Sequence, residues 1–426
     1  MATIPTAGDV LRLERDRASG PSLQAGSARG PTRVPVRSWH RFLAGLVARH
    51  LQGAAVRLRL WDGSSVGHDD PVATIAISDR TTLLNLARDP DIAFGDAFMQ
   101  GRIVVQGDLL ALLESTFRAQ QQAGPHAGLL QSLLERSNTL SRAREHIHHH
   151  YDIGNDFYAL WLDREMVYTC AYFPSDTTTL EEAQVAKMDH ICRKLRLRPG
   201  ESVIEAGCGW GALAMHMAAR CGVHVRAFNI SSEQIRFARR RARDLGLGER
   251  VEFIEDDYRN VRGTCDAFVS VGMLEHVGLA HYPDLGRVMD RVLPEGRGRG
   301  LLHFIGRNRA LPLDPWISKR IFPGAYPPTL AEVFTDVLGP WDFSVLDVEN
   351  LRLHYARTLE QWLVRYERTY DRVVEMFDEA FARAWRLYLA GSTASFRVGS
   401  MQLFQVTFAR GGDNDVPWTR AHLYKS

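Results

Sequence analysis

The stretch 202-SVIEAGCGWGALAMHMAAR-220 decides the fold. An apolar run of strand length, 202-SVIEAG-207, enters a turn with glycines at 207, 209 and 211, and a helical run, 211-GALAMHMAAR-220, leaves it. A buried-type strand, a glycine turn and a helix form half of a βαβ unit. The glycines permit a tight turn and close approach of a ligand to the backbone and to a helix N-terminus. Their spacing is G-x-G-x-G, not the G-x-G-x-x-G of dinucleotide binders. A generic glycine-rich turn is the plain alternative.

The same alternation continues outward. Strand-like runs stand at 224-HVRAFNI-230, 250-RVEFIED-256, 266-DAFVSVG-272 and 299-RGLLHFIG-306, with helical runs such as 232-SEQIRFARRRARDLG-246 between them. This pattern predicts an α/β fold with a doubly wound, mostly parallel sheet. Ligands of such sheets bind beyond the carboxyl ends of the strands. Glu205 precedes the glycine turn, and Ser231 is placed to cap a helix that carries Gln234. Asn229 stands where a ribose contact is expected, and Asp256 or Asp257 can accept from an adenine amino group. Together with Gly207, Gly209 and Gly211 they describe an S-adenosylmethionine (SAM) pocket.

After the fourth strand comes 273-MLEHVG-278, with Glu275 either facing the site or capping a helix. His303 lies in an apolar strand, where a satisfied core histidine competes with a functional one. The aromatic and proline-rich run 314-DPWISKRIFPGAYPP-328 reads as a lid or channel wall. Tyr355 opens a helix at 353-LHYARTLEQW-362. The histidines 146-HIHHH-150 lack the Cys or Asp partner spacing of a closed metal site, so no metal is expected.

Bulk properties fit this reading. The chain has 426 residues, 45% of them apolar and 24% charged, and a net charge of +2. That balance does not mark a nucleic-acid binder. The basic run 236-RFARRRARD-244 is either a solvated helix face or a contact for acidic lipid headgroups. Five cysteines without paired spacing predict free thiols in a reducing compartment. Neither a signal-type run nor a spanning segment occurs, so a cytoplasmic protein is expected, touching a membrane only peripherally, at its inner face. The expected organisation is a disordered tail over 1–35, a small domain over 36–120, a linker over 121–144, a catalytic domain over 145–410 and a C-terminal tail over 411–426.

Eight segments carry a specific resemblance: 149-HHYDIGNDFY-158, 168-YTCAYF-173, 180-LEEAQVAK-187, 207-GCGWG-211, 273-MLEHVG-278, 301-LLHFIG-306, 314-DPWISKRIFPG-324 and 401-MQLFQVTFAR-410. In this order the chain resembles the cyclopropane-fatty-acyl-phospholipid synthase and mycolic acid methyltransferase family. The segment 94-FGDAFMQGRIVVQGDL-109 is similar to the small N-terminal domain of the phospholipid-acting branch. The resemblance implies a class I SAM-dependent methyltransferase, with a Rossmann-like sheet and a smaller N-terminal α+β domain that is a candidate for lipid binding or dimerisation. It also implies a homodimer, and unsaturated phospholipid acyl chains as substrate. In that chemistry an alkene attacks the methyl of SAM, and a base then deprotonates the new methyl group so that a ring closes.

By resemblance the base is a bound bicarbonate, held by Cys170, Glu275, His303, Ile305 and Tyr355, with Cys170 and Ile305 contributing backbone groups. Tyr168 and Thr169 join the SAM contacts. Tyr172, Phe173, Trp316 and Phe322 are candidate rings for stabilising a carbocation. Cys170 sits among aromatics beside an electrophile, where a neutral buried thiol is expected. Five positions depart from the family pattern: Glu205-Ala206, Ala212 and Asn229 near the cofactor, and Phe304, which is expected to reshape the acyl channel. A methylene- or methyl-branched product needs the same residues and stays open. A non-catalytic SAM- or lipid-binding protein and a small-molecule methyltransferase are further alternatives.

Overall fold

The computed structural model describes residues 35–51, 53–122 and 153–424. The tail expected over 1–35, all but its last residue, lies outside the described residues, as do most of the 121–144 linker and 146-HIHHH-150. The described residues form two compact units. One comprises residues up to 122 together with Leu359–Val398, and the other comprises 153–358 and 399–424.

In the first unit a helix, Ser38–His50, precedes a four-stranded sheet of order β2-β1-β3-β4, with β1 Val56–Arg59, β2 Ser65–Gly67, β3 Ala73–Ile77 and β4 Ile103–Gly107. Asp79 caps the helix Arg80–Arg88 by accepting from the Thr82 backbone N–H, and Arg102 grips the same carboxylate at 3.0 and 2.7 Å. Late in the chain, Arg397 of the helix Glu379–Val398 reaches both Glu114 (2.8 Å) and Glu360 (2.6 Å). Those ion pairs tie sequence-distant helices into this unit.

The second unit is built on a seven-stranded sheet of order β10-β11-β9-β8-β5-β6-β7. Its parallel strands are β5 Ser202–Ala206, β6 His224–Asn229, β7 Val251–Glu255, β8 Ala267–Val271 and β9 Arg299–Gly306. These coincide closely with the five strand-like runs of the sequence. Both faces are covered: Val203 and Val225 belong to one core cluster, while Ile204, Ala206 and Phe228 belong to the other. Burial on both sides explains why these strands read as continuous apolar runs. β10 Phe343–Asn350 and β11 Gln402–Arg410 add an antiparallel edge that the strand–helix pattern did not announce. β5 adjoins β6 on one side and β8 on the other, so its carboxyl end is the switch point where ligands of open α/β sheets bind. No helix among the described residues is long and apolar enough to cross a membrane.

Candidate active site

The turn after β5 uses its three glycines differently. All have positive φ, at 82°, 53° and 82° for Gly207, Gly209 and Gly211. A Cβ on Gly211 would lie 2.5 Å from the Phe253 ring, and one on Gly207 would lie 3.0 Å from the Met273 Cβ. On Gly209 it would meet nothing within 4 Å. Gly211 and Gly207 therefore allow close packing, while Gly209 presents bare backbone to open space, as a cofactor cradle requires. The Gly207 and Cys208 N–H groups both donate to the Phe228 carbonyl, at 2.9 and 3.1 Å, and pin the turn to β6.

Asn229, at the end of β6, donates to the Gly209 carbonyl at 3.2 Å and to Gln234 Oε1 at 2.7 Å. It braces the glycine turn. Asp256 accepts from the Asp257 N–H (2.7 Å) and from Asn260 (2.8 Å). Buried Asp257 is gripped by Arg259 at 2.8 and 2.9 Å and caps the turn Tyr258–Asn260. Of the two carboxylates, Asp256 is the more open to solvent. Glu205 is buried, and burial raises its carboxyl to about 8; its Oε2 has no hydrogen-bond partner.

The stretch 167–173 is fastened from two sides. From the helix Leu180–Leu195, Gln184 donates to the carbonyls of Thr169 (2.9 Å) and Val167 (3.3 Å), and Lys187 Nζ donates to Thr169 Oγ1 (3.0 Å). From the helix that begins at Arg352, Thr358 Oγ1 accepts from the Ala171 N–H and His354 Nδ1 from the Phe173 N–H, both at 3.0 Å. The ring of Tyr168 packs 5.3–5.4 Å from those of Tyr158 and Trp161. The Tyr172 ring is stacked between His190 (4.5 Å) and His354 (4.8 Å), so neither face is open to a cation. Phe173 lies under the Arg357 guanidinium. Of the four candidate rings, Trp316 (buried) and Phe322, 5.7 Å from His276, remain in the 314–328 segment. Phe304 belongs to the core cluster, beside Phe404 and across the strand from His303. The expectation that it shapes an acyl channel is therefore set aside, because strand alternation sends it to the other face.

One chain of contacts joins four of the five residues assigned to the anion. Glu275 Oε1 accepts from the Ile305 N–H at 3.2 Å. Ile305 faces Leu403 in register on β11. The Leu403 carbonyl accepts from Leu351 N–H at 2.8 Å, and the Leu351 carbonyl in turn accepts from Tyr355 N–H at 3.0 Å and from the Cys170 thiol at 3.9 Å. His303, two residues before Ile305 on β9, shares its side of the strand, and Gln405 Nε2 donates to its Nδ1 at 3.0 Å. Burial lifts Glu275 to about 7 and holds His303 neutral, its pKa far below the usual value. Glu275 Oε2 and His303 Nε2 are buried with no hydrogen-bond partner. Burial also pushes the Cys170 thiol far up, so it stays protonated. Sequence reasoning gave no role to Gln184, Lys187, Gly272, Leu351 or Gln405. The only advance signal was that 180-LEEAQVAK-187 and 401-MQLFQVTFAR-410 belong to the resemblance.

Comparison with known proteins identifies the family. Residues 138–406 match the family model described as mycolic acid cyclopropane synthetase, and residues 44–125 match a domain of unknown function. A "Probable fatty acid methyltransferase" of Pseudomonas putida is 34% identical over 87% of this chain and 96% of its own length. The "Cyclopropane-fatty-acyl-phospholipid synthase" of Escherichia coli K12 is 40% identical over 63% of this chain and 68% of its own. The crystal structure of mycolic acid cyclopropane synthase CmaA1 complexed with SAH and CTAB superimposes with a TM-score of 0.59 at 30% identity, covering 63% of this chain and 98% of that one. With its Rossmann-type sheet and open glycine turn, the chain belongs to the mycolic acid cyclopropane synthetase family of class I SAM-dependent methyltransferases.

Proposed function

We propose that this enzyme methylates the cis double bond of an unsaturated acyl chain in a membrane phospholipid and completes a cyclopropane ring. SAM supplies the methyl group, and the alkene is the nucleophile, so the protein needs no thiolate or alkoxide. It needs a dry pocket and a base near the new methyl group. The observation that carries the reading is two orphaned buried atoms: Glu275 Oε2, on the helix that follows β8, and His303 Nε2, within β9 and in register with Val271 at the end of β8. Leaving a buried polar atom without a partner is expensive, and one bound anion would satisfy both of these.

The two atoms are complementary to a small hydrogen-bearing anion. With Gln405 Nε2 donating to His303 Nδ1, the imidazole proton would sit on Nε2, whose atom is buried and free to donate to a ligand. Glu275 is half-ionised near neutral pH and can accept an anion's hydroxyl through Oε2. Bicarbonate fits that donor and acceptor set, with the backbone around Cys170 and Ile305 and the Tyr355 side chain as further holders. Bound there, it would supply the base for ring closure. Tyr168, Thr169, Gly209 and Gln234 would hold SAM, with Glu205 beneath the turn.

The test is lipid analysis after expression in a host that lacks the activity. A gain of CH2 that survives ozone is the cyclopropane result. A gain of CH2 that ozone cleaves gives a methylene branch, and a gain of CH4 gives a saturated methyl branch; either overturns the ring-closing reading. The methyl-branched outcome stays in view because the relative from Pseudomonas putida is named a fatty acid methyltransferase.

A further inference from the structure

We infer that Lys187 is a positioning residue whose buried ammonium sets the orientation of the Thr169 hydroxyl and, through it, the methyl-donor site. The inference rests on the assignment of Thr169 as a cofactor contact. Lys187 is 1% exposed and close enough to Asp163 and Glu205 to feel their charge, but its hydrogen bond goes to neither carboxylate. Asp163 already accepts the N–H groups of Glu165 (2.9 Å) and Val167 (3.0 Å), and Glu205 interacts with the Ala214 N–H. Burying a lysine is costly, because its charged form is desolvated. The ammonium is instead aimed at Thr169 Oγ1, 3.0 Å away.

The direction of that bond has a consequence. An ammonium has three donors and no acceptor, so Thr169 Oγ1 can only accept from it. The threonine's own proton is then turned away from Lys187 and is available to an acceptor on the ligand. The methionine end of SAM carries such an acceptor, a carboxylate. The Thr169 methyl is confined as well, since a Cβ on Gly272 at the end of β8 would lie 2.8 Å from it. Gln184, one turn before Lys187 on the same helix, holds the Thr169 carbonyl at 2.9 Å. Backbone, methyl and hydroxyl of Thr169 are thus each fixed by a different neighbour.

Binding of S-adenosylhomocysteine to the purified full chain tests this by calorimetry on Lys187→Met, Thr169→Val and the double variant, with thermal melts to confirm folding. Lys187→Met and Thr169→Val are each expected to weaken binding about tenfold, roughly 1.4 kcal/mol. Lys187→Gln, which keeps a neutral donor, should lose less than Lys187→Met. The double variant should be no weaker than either single one, because both remove one relay. A double variant weakened by the product of the single effects would overturn the inference. So would full affinity in both Lys187 variants beside a weakened Thr169→Val, which would leave the Thr169 contact standing. Full affinity in Thr169→Val would remove the contact itself, and the relay with it.

Discussion

At the scale of single residues, burial sets the protonation of the site: it raises the carboxyls of Glu205 and Glu275 and keeps Cys170 and His303 neutral. Cys170 is a neutral thiol whose neighbourhood uses its shape, so Cys170→Ser should lower turnover by about tenfold or less without abolishing it. A dead Cys170→Ser that still bound cofactor would reopen a nucleophilic role. Glu275→Gln and His303→Ala should cost more, on the order of a hundredfold or greater, as expected for groups that position a general base. Glu275 also predicts a trade of function against stability. Burial raises its folded pKa to about 7 from an ordinary 4.5. Because the folded value is the higher one, the folded state is favoured below the unfolded pKa, and that advantage is lost as pH rises through 7. Glu275→Gln should therefore be more stable than the parent at pH 8, by up to about 3 kcal/mol, and show little difference at pH 5. Urea unfolding at the two pH values checks this, and equal differences at both would contradict it. Residue types and strand-end positions made Glu275 and His303 legible in the sequence. Their polarity was not legible, because it depends on Gln405, a hundred residues further on in a strand that pairs with β9 only in three dimensions.

At the scale of elements, the glycine turn separates packing from binding. Gly211→Ala would place a methyl 2.5 Å from the Phe253 ring at a φ of 82°. Overpacking and left-handed strain together should cost on the order of 2–5 kcal/mol. Gly209→Ala shares the strain but meets no atom, so it should cost only about 1–2 kcal/mol while losing affinity for S-adenosylhomocysteine. Denaturant midpoints and calorimetry on both variants distinguish the two roles. Equal destabilisation would show that the space above Gly209 is filled. The five parallel strands were readable because both of their faces are buried and few residues separate each strand from its helix. β10 escaped because it is an edge strand whose side chains are largely exposed after Phe343. β11 escaped because more than fifty residues, mostly helical, separate it from its hairpin partner. Part of that insertion, Leu359–Val398, groups with the first unit, a pairing that no local pattern in the sequence can express.

At the scale of the molecule, the proposed substrate, an acyl chain within a bilayer, would require an enzyme that reaches it from the surface. The helix Ser38–His50 of the first unit offers one means. Phe42 is 63% exposed and Leu46 39%, and helical spacing puts both on one side with exposed Arg49. Arg41, also exposed, adjoins Phe42. Apolar side chains flanked by arginines suit the interface of an anionic membrane, where the rings and alkyl groups enter the acyl boundary and the guanidinium groups meet headgroups. The enzyme should therefore co-sediment with vesicles containing phosphatidylglycerol more strongly than with neutral ones, and 0.5 M salt should weaken this, since the Debye length falls below about 5 Å. Replacing Phe42 and Leu46 together by alanine should reduce binding about tenfold or more through lost apolar burial. Turnover of a short-chain, micelle-soluble lipid should be spared in that variant, because neither residue belongs to the methyl-transfer site. Vesicle binding indifferent to salt, to anionic lipid and to the double substitution would remove this helix as the docking element.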